Sequence, residues 1–206
     1  MQDKDWSQKY RPSSIEDVIL PKKVSQSVLK IVKNRGGLPL LFHGRPGCGK
    51  TTVAKLINPA NTLYINGTCE NSVNMVRELE RKCAPLTLDG GRRLVLLDEA
   101  DYLSKDAQAA LRGTVETLSV TNDFVMTANE YNKLIDPLLS RFYSISFEFE
   151  NSKPAREKMA ARLRTIAESE GYRDVSDQQL TEIVDFHFPD MRRMVKTLQY
   201  QLQFPN

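Results

Sequence analysis

A glycine-rich loop between an apolar run and a helical segment restricts the fold of this chain more than any other feature. The stretch LLFHGRPGCGKTTVAK, residues 40–55, contains the pattern G-x-x-x-x-G-K-[ST]. Consecutive backbone N–H groups can surround a phosphate only where side chains stay clear, and Gly44, Gly47 and Gly49 provide the unusual dihedrals and the room. A helix that begins near Lys50 would direct its positive dipole end at the same anion. The sequence therefore predicts a buried strand, a phosphate-binding loop and a helix, in that order.

Two side chains at the end of this loop have separate expected roles. Lys50 would place a point charge on the β- and γ-phosphates of a nucleotide, and the Thr51 hydroxyl is a hard oxygen ligand suited to Mg²⁺. A glycine-rich turn that happens to contain a lysine is the alternative, which the position between strand and helix disfavours. The expected nucleotide-binding residues of the loop are Gly44, Arg45, Pro46, Gly47, Cys48, Gly49, Lys50, Thr51 and Thr52.

The stretch LVLLDEAD, residues 94–101, carries paired acids to the end of an apolar strand. Ligands of open α/β sheets bind at this edge. We expect Asp98 to hold Mg²⁺ through its water shell, and Glu99, on the opposite side of an extended chain, to accept a proton from the attacking water. The alternative is that the acids cap the next helix, as Asp101 could. Paired acids after a phosphate loop favour hydrolysis of the nucleotide over binding alone.

Strands and helices alternate up to about residue 150. Apolar runs predict strands in LPLLFHG, TLYING, GGRRLVLLDEAD, DFVMTAN and YSISFEF, with helices between them. This spacing predicts the α/β class, with a parallel five-stranded sheet and helices on both faces. Further along the chain only helices are predicted, over 154–171, 176–186 and 191–203. The expected domains are an α/β domain at residues 1–150 and a small helical domain at residues 151–206.

Composition restricts the class of protein further. A chain of 206 residues with 40% hydrophobic and 27% charged residues is ordinary for a folded globular protein. Its 29 basic and 26 acidic side chains give a net charge of +3, so any basic surface must be local. No apolar run approaches the roughly 20 residues that span a bilayer, and no secretory signal is visible, so we expect a cytoplasmic location. Cys48, Cys69 and Cys83 lack the spacing of a disulfide framework or a zinc site.

Read in order, these motifs resemble those of the AAA+ ATPases, and more narrowly those of sliding-clamp loader subunits. WSQKYRPSSIEDVI is similar to the KYRP…DVV opening of those subunits, DAQAALRGTVE to their AQxALRRTME, and PDMRRMVKTLQ to the GDMRRAxNxLQ of their helical lid. The matches extend from about Lys9 to Gln199. Within that family the chain resembles the ATPase subunit of T-even-like phages or the small subunits of replication factor C.

The resemblance implies a P-loop NTPase (AAA+) fold followed by a helical lid, with ATP and Mg²⁺ as cofactors. In this family ATP binding opens a ring-shaped clamp and hydrolysis accompanies its release on DNA. The implied partners are therefore a sliding clamp, primer–template DNA and other loader subunits, in host cytoplasm if the chain is phage-encoded, and no membrane. Such subunits also carry a helical collar domain, and we expect this chain to lack it, either as a truncated form or as a short natural relative. Slow hydrolysis by the isolated chain is expected, because assembly supplies an arginine in trans.

Matching the motifs assigns further site residues. Asn129 resembles the sensor that orients the attacking water, with capping of a turn as the alternative. Arg141 resembles the arginine finger that enters a neighbouring subunit's nucleotide site, although Phe142 stands where the family has cysteine. A solvated arginine on a loop is the alternative. Arg192 matches the second sensor in the lid, with Arg193 as the fallback assignment and a solvated helix face as the alternative.

Two further sets of residues follow from the resemblance. The segment around adenine and ribose is expected to include Tyr10, Arg11, Pro12, Val18 and Ile19, and an N-terminal strap on the core is a compatible interpretation. Contacts with the DNA backbone, which need phosphate binding and no reading of bases, are expected from Arg77, Arg81, Lys105 and Arg112. A solvated helix face is the alternative for these four side chains.

Two other functions remain open from the sequence. The first is another DNA-associated AAA+ motor, such as a branch-migration or initiator ATPase. Such motors tend to carry pore loops or a winged-helix reader, and we expect neither in this chain. The second is a structural subunit that binds nucleotide without hydrolysing it, which Asp98, Glu99 and Asn129 disfavour.

Overall fold

The computed structural model describes residues 5–34, 37–83 and 91–204. In chain order the elements are α1 (Trp6–Lys9), α2 (Lys22–Asn34), β1 (Leu40–His43), α3 (Lys50–Ile57), β2 (Thr62–Asn66), α4 (Val73–Cys83), β3 (Arg93–Asp98), α5 (Lys105–Leu118), β4 (Asn122–Ala128), α6 (Asp136–Leu139), β5 (Tyr143–Ser146), α7 (Lys153–Ser169), α8 (Asp177–His187) and α9 (Met191–Gln203), with short 3₁₀ turns at Ala100–Tyr102 and Tyr131–Lys133.

These elements belong to two compact units. The sheet unit consists of Lys22–Gly44 and Lys50–Phe147. The helical unit consists of Met1–Pro21, Arg45–Gly49 and Glu148–Asn206. The predicted domain division near residue 150 stays a prediction, and the structure assigns the N-terminal segment to the same unit as the C-terminal helices.

The sheet unit contains five parallel strands in the order β2-β3-β4-β1-β5. The prediction of a parallel five-stranded sheet is confirmed. The centre of β3 is an uninterrupted apolar run, Leu94–Leu97, and all of it is buried. Such runs are typical of parallel strands because both faces of the sheet are covered. The fifth strand ends earlier than YSISFEF suggested, at Ser146.

Apolar side chains cover both faces of this sheet. Alternate strand residues such as Leu41, Leu97 and Met126 form one core with the buried sides of α4 and α5. The residues that alternate with them, including Phe42 and Leu96, are also buried, and α3 contacts β3 and β4. The carboxyl ends of the strands therefore form one edge of a rigid, closely packed layer.

The helical unit has its own core, which α1, α7, α8 and α9 form together. Trp6 is 2% exposed, and its backbone N–H donates to Oε1 of Gln199 over 2.9 Å. It packs with a group of buried apolar residues that includes Met159, Leu163, Ile166, Leu180, Ile183, Val184, Met194 and Leu198. Trp6 therefore explains why the N-terminal segment belongs to this unit.

Short polar side chains begin several of the helices. The Ser104 hydroxyl accepts from the N–H of Ala107 at the start of α5, over 3.1 Å. Ser176 does the same for the N–H of Gln179 at the start of α8. The Gln179 side chain does not complete a capping box with Ser176, because it donates to Oε1 of Gln201 over 3.1 Å.

The three cysteines are free thiols. Burial raises the pKa of the Cys83 thiol, so this group stays protonated near neutral pH. In the described part of the chain no helix is long and apolar enough to cross a membrane. The same residues include no cluster of three or more His, Cys, Asp or Glu side chains suited to a metal ion.

Candidate nucleotide-binding site

The loop between β1 and α3 depends on glycine at three positions. Gly44, Gly47 and Gly49 have φ values of 140°, 73° and 95°, in the region that side chains disfavour. At Gly47 and Gly49, which belong to the helical unit, neighbouring side chains also leave little or no room for a Cβ atom. A Cβ atom on Gly47 would lie 1.8 Å from Oδ1 of Asp190, and one on Gly49 would lie 3.0 Å from Cγ1 of Val18. The backbone of this loop is therefore kept bare, as binding of a phosphate by amides requires.

Lys50 is the first residue of α3 and is only 6% exposed, so its ammonium group is buried in the sheet unit. Its ammonium donates to the carbonyl oxygen of Gly44 over 2.7 Å and to Oδ1 of Asn129 over 2.9 Å. A buried cation needs such partners, because burial without them is costly. Asn129 directly follows β4. The structure thus brings together the motif lysine and the predicted sensor.

The carboxylate of Asp98, at the end of β3, accepts hydrogen bonds from three hydroxyl groups. Thr51 and Thr127 donate to its Oδ1 over 2.7 and 2.6 Å. Tyr64 donates to its Oδ2 over 2.9 Å. The structure thus brings together the two residues that were predicted to hold Mg²⁺. Thr127 and Tyr64 were not among the predicted site residues.

A signal for each of these two residues was present in the sequence. Thr127 lies two positions before Asn129, on the neighbouring strand β4. Tyr64 lies two positions before Asn66, which is the residue in register with Asp98. Both relations become informative only when the order of the strands is known.

The backbone of Glu99 differs from the prediction. Its φ and ψ are 56° and 46°, a left-handed conformation, so the extended geometry expected for this residue is wrong. The N–H of Glu99 donates to the Thr127 hydroxyl over 3.0 Å, and the carbonyl of Asp98 accepts from the N–H of Gly67 over 2.8 Å. These contacts hold a residue that is not glycine in a conformation costing about 1–2 kcal/mol. Such conformations cluster at functional sites.

Asp101 does not cap α5, because Ser104 does. Its Oδ2 accepts from the N–H of Glu130 over 3.2 Å, and its Oδ1 is buried without a hydrogen-bond partner. This carboxylate therefore lies next to the segment that follows Asn129. It contributes to holding the carboxyl end of β4.

The residues at Thr51 and Asp98 fit a magnesium ion. Both offer hard oxygen atoms, which approach each other within 2.7 Å at the start of α3. Mg²⁺ keeps most of its water and takes one or two protein oxygens together with substrate phosphates. A hydroxyl and a carboxylate beside a phosphate loop match that donor set.

Comparison with known proteins places this geometry in a family. Residues 40–150, more than half of the chain, match the model of the ATPase family associated with various cellular activities. The chain belongs to this AAA family. The matched residues begin with β1 and include the phosphate loop, Asp98, Asn129 and β5.

Archaeal replication proteins are similar to this AAA chain over most of its length. It is 38% identical over 205 residues to replication factor C small subunit 2 of Pyrobaculum aerophilum, covering 94% of this chain and 62% of the relative. It is 35% identical over 206 residues to the replication factor C small subunit of Aeropyrum pernix, covering 94% and 61%. The chain thus spans about three fifths of the length of these relatives.

A solved structure supports the fold. The Thermotoga maritima RuvB Holliday junction branch migration motor has a TM-score of 0.72 with this chain at 18% identity, covering 94% of this chain and 65% of the other. At this identity the likeness concerns the fold alone. Together with the family match, it confirms the predicted AAA+ fold, a parallel sheet with flanking helices and a helical C-terminal segment.

Arg141, the predicted arginine finger of this AAA domain, follows α6 and is partly exposed. It forms an ion pair with Glu116 of α5, and its Nη1 donates to Oγ of Ser140 over 2.8 Å. Its role in a neighbouring site stays a prediction. Phe142, which replaces the family's cysteine, is buried in the core of the sheet unit.

The predicted lid sensors lie in the first turn of α9. Arg192 is exposed, and Arg193 is paired with Asp190 at 3.5 Å. Asp190 also begins the helix, because its Oδ1 accepts from the N–H of Arg193. The assignment of Arg192 over Arg193 as the sensor stays a prediction.

The N-terminal residues predicted around adenine and ribose are all partly buried: Tyr10, Arg11, Pro12, Val18 and Ile19. Tyr10 and Ile19 pack on the core of the helical unit, and Arg162 donates to the Tyr10 carbonyl. These contacts agree with the strap interpretation. The approach of Val18 to Gly49 agrees with a place beside the phosphate loop.

The four residues predicted to contact DNA are exposed on two packed helices. Arg77 and Arg81 lie on α4, and Lys105 and Arg112 lie on α5. Their exposure is compatible both with phosphate contacts and with a solvated face. Their role stays a prediction.

Proposed function

We propose that this chain is the ATP-hydrolysing part of a sliding-clamp loader subunit. Two hydrogen bonds in the sheet unit carry the proposal: Lys50 donates to Asn129, and Thr51 donates to Asp98. Its similarity to replication factor C small subunits supports the assignment to clamp loading. The phage-type form of the assignment rests on the sequence motifs, since these relatives are archaeal.

Binding is proposed to rest on the loop amides, Lys50 and Thr51. The loop would surround the phosphates of ATP, and Lys50 would exchange its contact with the Gly44 carbonyl for phosphate oxygens. Thr51 and Asp98 would hold Mg²⁺, which when bound neutralises charge on the phosphate oxygens. Tyr10 and Val18 are proposed neighbours of the adenine and ribose.

Hydrolysis requires a base and a group that orients water. Glu99 is the proposed base. It accepts a proton from the water while the oxygen of that water attacks the γ-phosphorus. The bond between the γ-phosphorus and the bridging oxygen breaks, and the products are ADP and inorganic phosphate. Asn129, fixed by Lys50, is proposed to orient that water.

Assembly is proposed to complete the site. Arg141 would leave Glu116 and stabilise charge on the nucleotide of a neighbouring subunit. The proposed partners are other loader subunits, a sliding clamp and primer–template DNA, whose backbone Arg77, Arg81, Lys105 and Arg112 would contact. Arg192 is proposed to read the γ-phosphate from α9.

Steady-state release of phosphate tests the enzymatic part of this proposal. The wild-type chain and Glu99→Gln are compared in the presence of Mg²⁺, primer–template DNA and the sliding clamp of the source genome. We expect the glutamine variant to bind ATP normally and to lose 10²-fold or more in rate, about the contribution of a general base. The matched control is Glu157→Gln, an exposed acid on α7. Equal rates for wild type and Glu99→Gln would reduce the function to nucleotide binding without hydrolysis.

A further inference from the structure

Tyr64 makes a contact that the proposed function does not use. It lies on β2, the edge strand of the sheet, and is 41% exposed. Its partner in the neighbouring strand is Leu96, while Asp98 is in register with Asn66. The phenol therefore extends along the strand by two residues and donates to Oδ2 of Asp98 over 2.9 Å. An exposed aromatic ring on an edge strand is thus tied to the carboxylate at the centre of the site.

The ring is held from a second direction by α3. The ammonium of Lys55 lies 4.2 Å from the centroid of the Tyr64 ring, within the range of a cation–π contact. Lys55 is four residues after Thr51, so both side chains lie on one face of the helix. The helix that carries the Thr51 hydroxyl to Asp98 therefore also carries the group that holds Tyr64. This arrangement fixes the direction of the phenol hydroxyl.

The hydrogen bonds of Asp98 give this hydroxyl a particular effect. An ionised carboxylate has about four lone-pair positions, two on each oxygen. Thr51 and Thr127 both donate to Oδ1, and Tyr64 donates to Oδ2. Among the contacts of the described residues, the remaining acceptor position is therefore on Oδ2. The Tyr64 bond helps to determine where that position points, because with the two bonds to Oδ1 it restricts rotation of the carboxylate about its Cβ–Cγ bond.

We propose that Tyr64 is a positioning residue for the Mg²⁺ site, acting through Oδ2 of Asp98. The inference rests on the proposed function, in which Asp98 binds the water shell of Mg²⁺. Tyr64 aims the free lone pair of Oδ2 at that shell and has no contact with the nucleotide in this role. Groups that orient a metal-binding carboxylate typically contribute 10- to 100-fold to metal affinity.

The substitution Tyr64→Phe removes the hydroxyl and keeps the ring under Lys55. Isothermal titration calorimetry measures the affinity for the slowly hydrolysed analogue ATPγS, first in EDTA and then over a series of Mg²⁺ concentrations. We expect the half-saturating Mg²⁺ concentration to rise about tenfold. Affinity in EDTA and the midpoint of thermal unfolding should match those of the wild type. The control is Tyr200→Phe, an exposed tyrosine on α9, which should leave all three quantities unchanged.

Each other outcome would overturn the inference in a recognisable way. An unchanged Mg²⁺ requirement in Tyr64→Phe, with Mg²⁺-dependent binding intact in the wild type, would overturn the role of Tyr64 and leave the proposed function standing. An equal loss of affinity with and without Mg²⁺ would show a general structural role instead. A wild-type chain whose ATPγS affinity ignores Mg²⁺ would remove the metal from the proposed function, and this inference with it.

Discussion

Gly67 lies directly against the backbone of Glu99. A Cβ atom on Gly67 would come within 2.4 Å of the Glu99 carbonyl oxygen, and the N–H of Gly67 donates to the carbonyl of Asp98 over 2.8 Å. The left-handed conformation of Glu99 therefore depends on a bare backbone in the segment that follows β2. The proposed catalytic base is positioned by a glycine that is distant in sequence.

The substitution Gly67→Ala should consequently displace Glu99. We expect the free energy of unfolding to fall by about 1–3 kcal/mol, as overpacking of a rigid region does, and the rate of ATP hydrolysis to fall more than the affinity for ATP. The control is Gly113→Ala on α5, where an added Cβ meets open space. That variant should be more stable than the wild type by about 0.5–1 kcal/mol. Urea denaturation and phosphate release measure the two effects, and a stable, fully active Gly67→Ala would refute the dependence.

Arg141 forms an ion pair with Glu116, and its proposed role is to stabilise charge on the nucleotide of a neighbouring subunit. Arg141→Ala should keep the ATP affinity of the isolated chain. When it is mixed with subunits that supply competent sites, stimulated hydrolysis should fall by about 10³-fold or more. Glu116→Gln is the control, because it removes the ion pair and leaves the arginine available. Loss of ATP binding in isolated Arg141→Ala would show that the arginine serves its own chain.

Contacts with DNA are tested through their dependence on salt. Each phosphate contact contributes a slope of about 0.9 to the fall of log affinity with log salt. The double variant Arg77→Ala, Arg81→Ala should therefore bind primer–template DNA more weakly, with a slope reduced by about 1.8. A double alanine variant at Lys153 and Lys158 of α7 removes the same charge elsewhere. Identical slopes for the wild type and the α4 variant would assign Arg77 and Arg81 to a solvated face.

Much of the fold follows from periodicity that a single sequence displays. Apolar runs such as Leu94–Leu97 predict buried parallel strands, and the regular spacing of helices between them predicts the α/β class. The contact between Thr51 and Asp98 also follows, because both motifs end at the same edge of such a sheet. These features depend on neighbours in sequence or on a general rule of sheet construction.

The remaining features depend on contacts that sequence spacing does not encode. Tyr64 reaches Asp98 only because β2 and β3 are neighbours in the sheet order. The conformation of Glu99 depends on Gly67, and the membership of Trp6 in the helical unit depends on a bond to Gln199. In each case the local sequence is compatible with several positions of the residue, and a contact with a residue distant in sequence determines which one it takes.

Binding of the nucleotide phosphates by Lys50 is tested most directly by calorimetric titration with ATPγS and Mg²⁺. Lys50→Met keeps an unbranched side chain, one heavy atom shorter, and removes the charge. Lys30→Met on α2 is the control for an exposed lysine. Removing charged hydrogen bonds to phosphate should weaken binding by about 100-fold in Lys50→Met, with Lys30→Met equal to the wild type. Wild-type affinity in a folded Lys50→Met would contradict the claim.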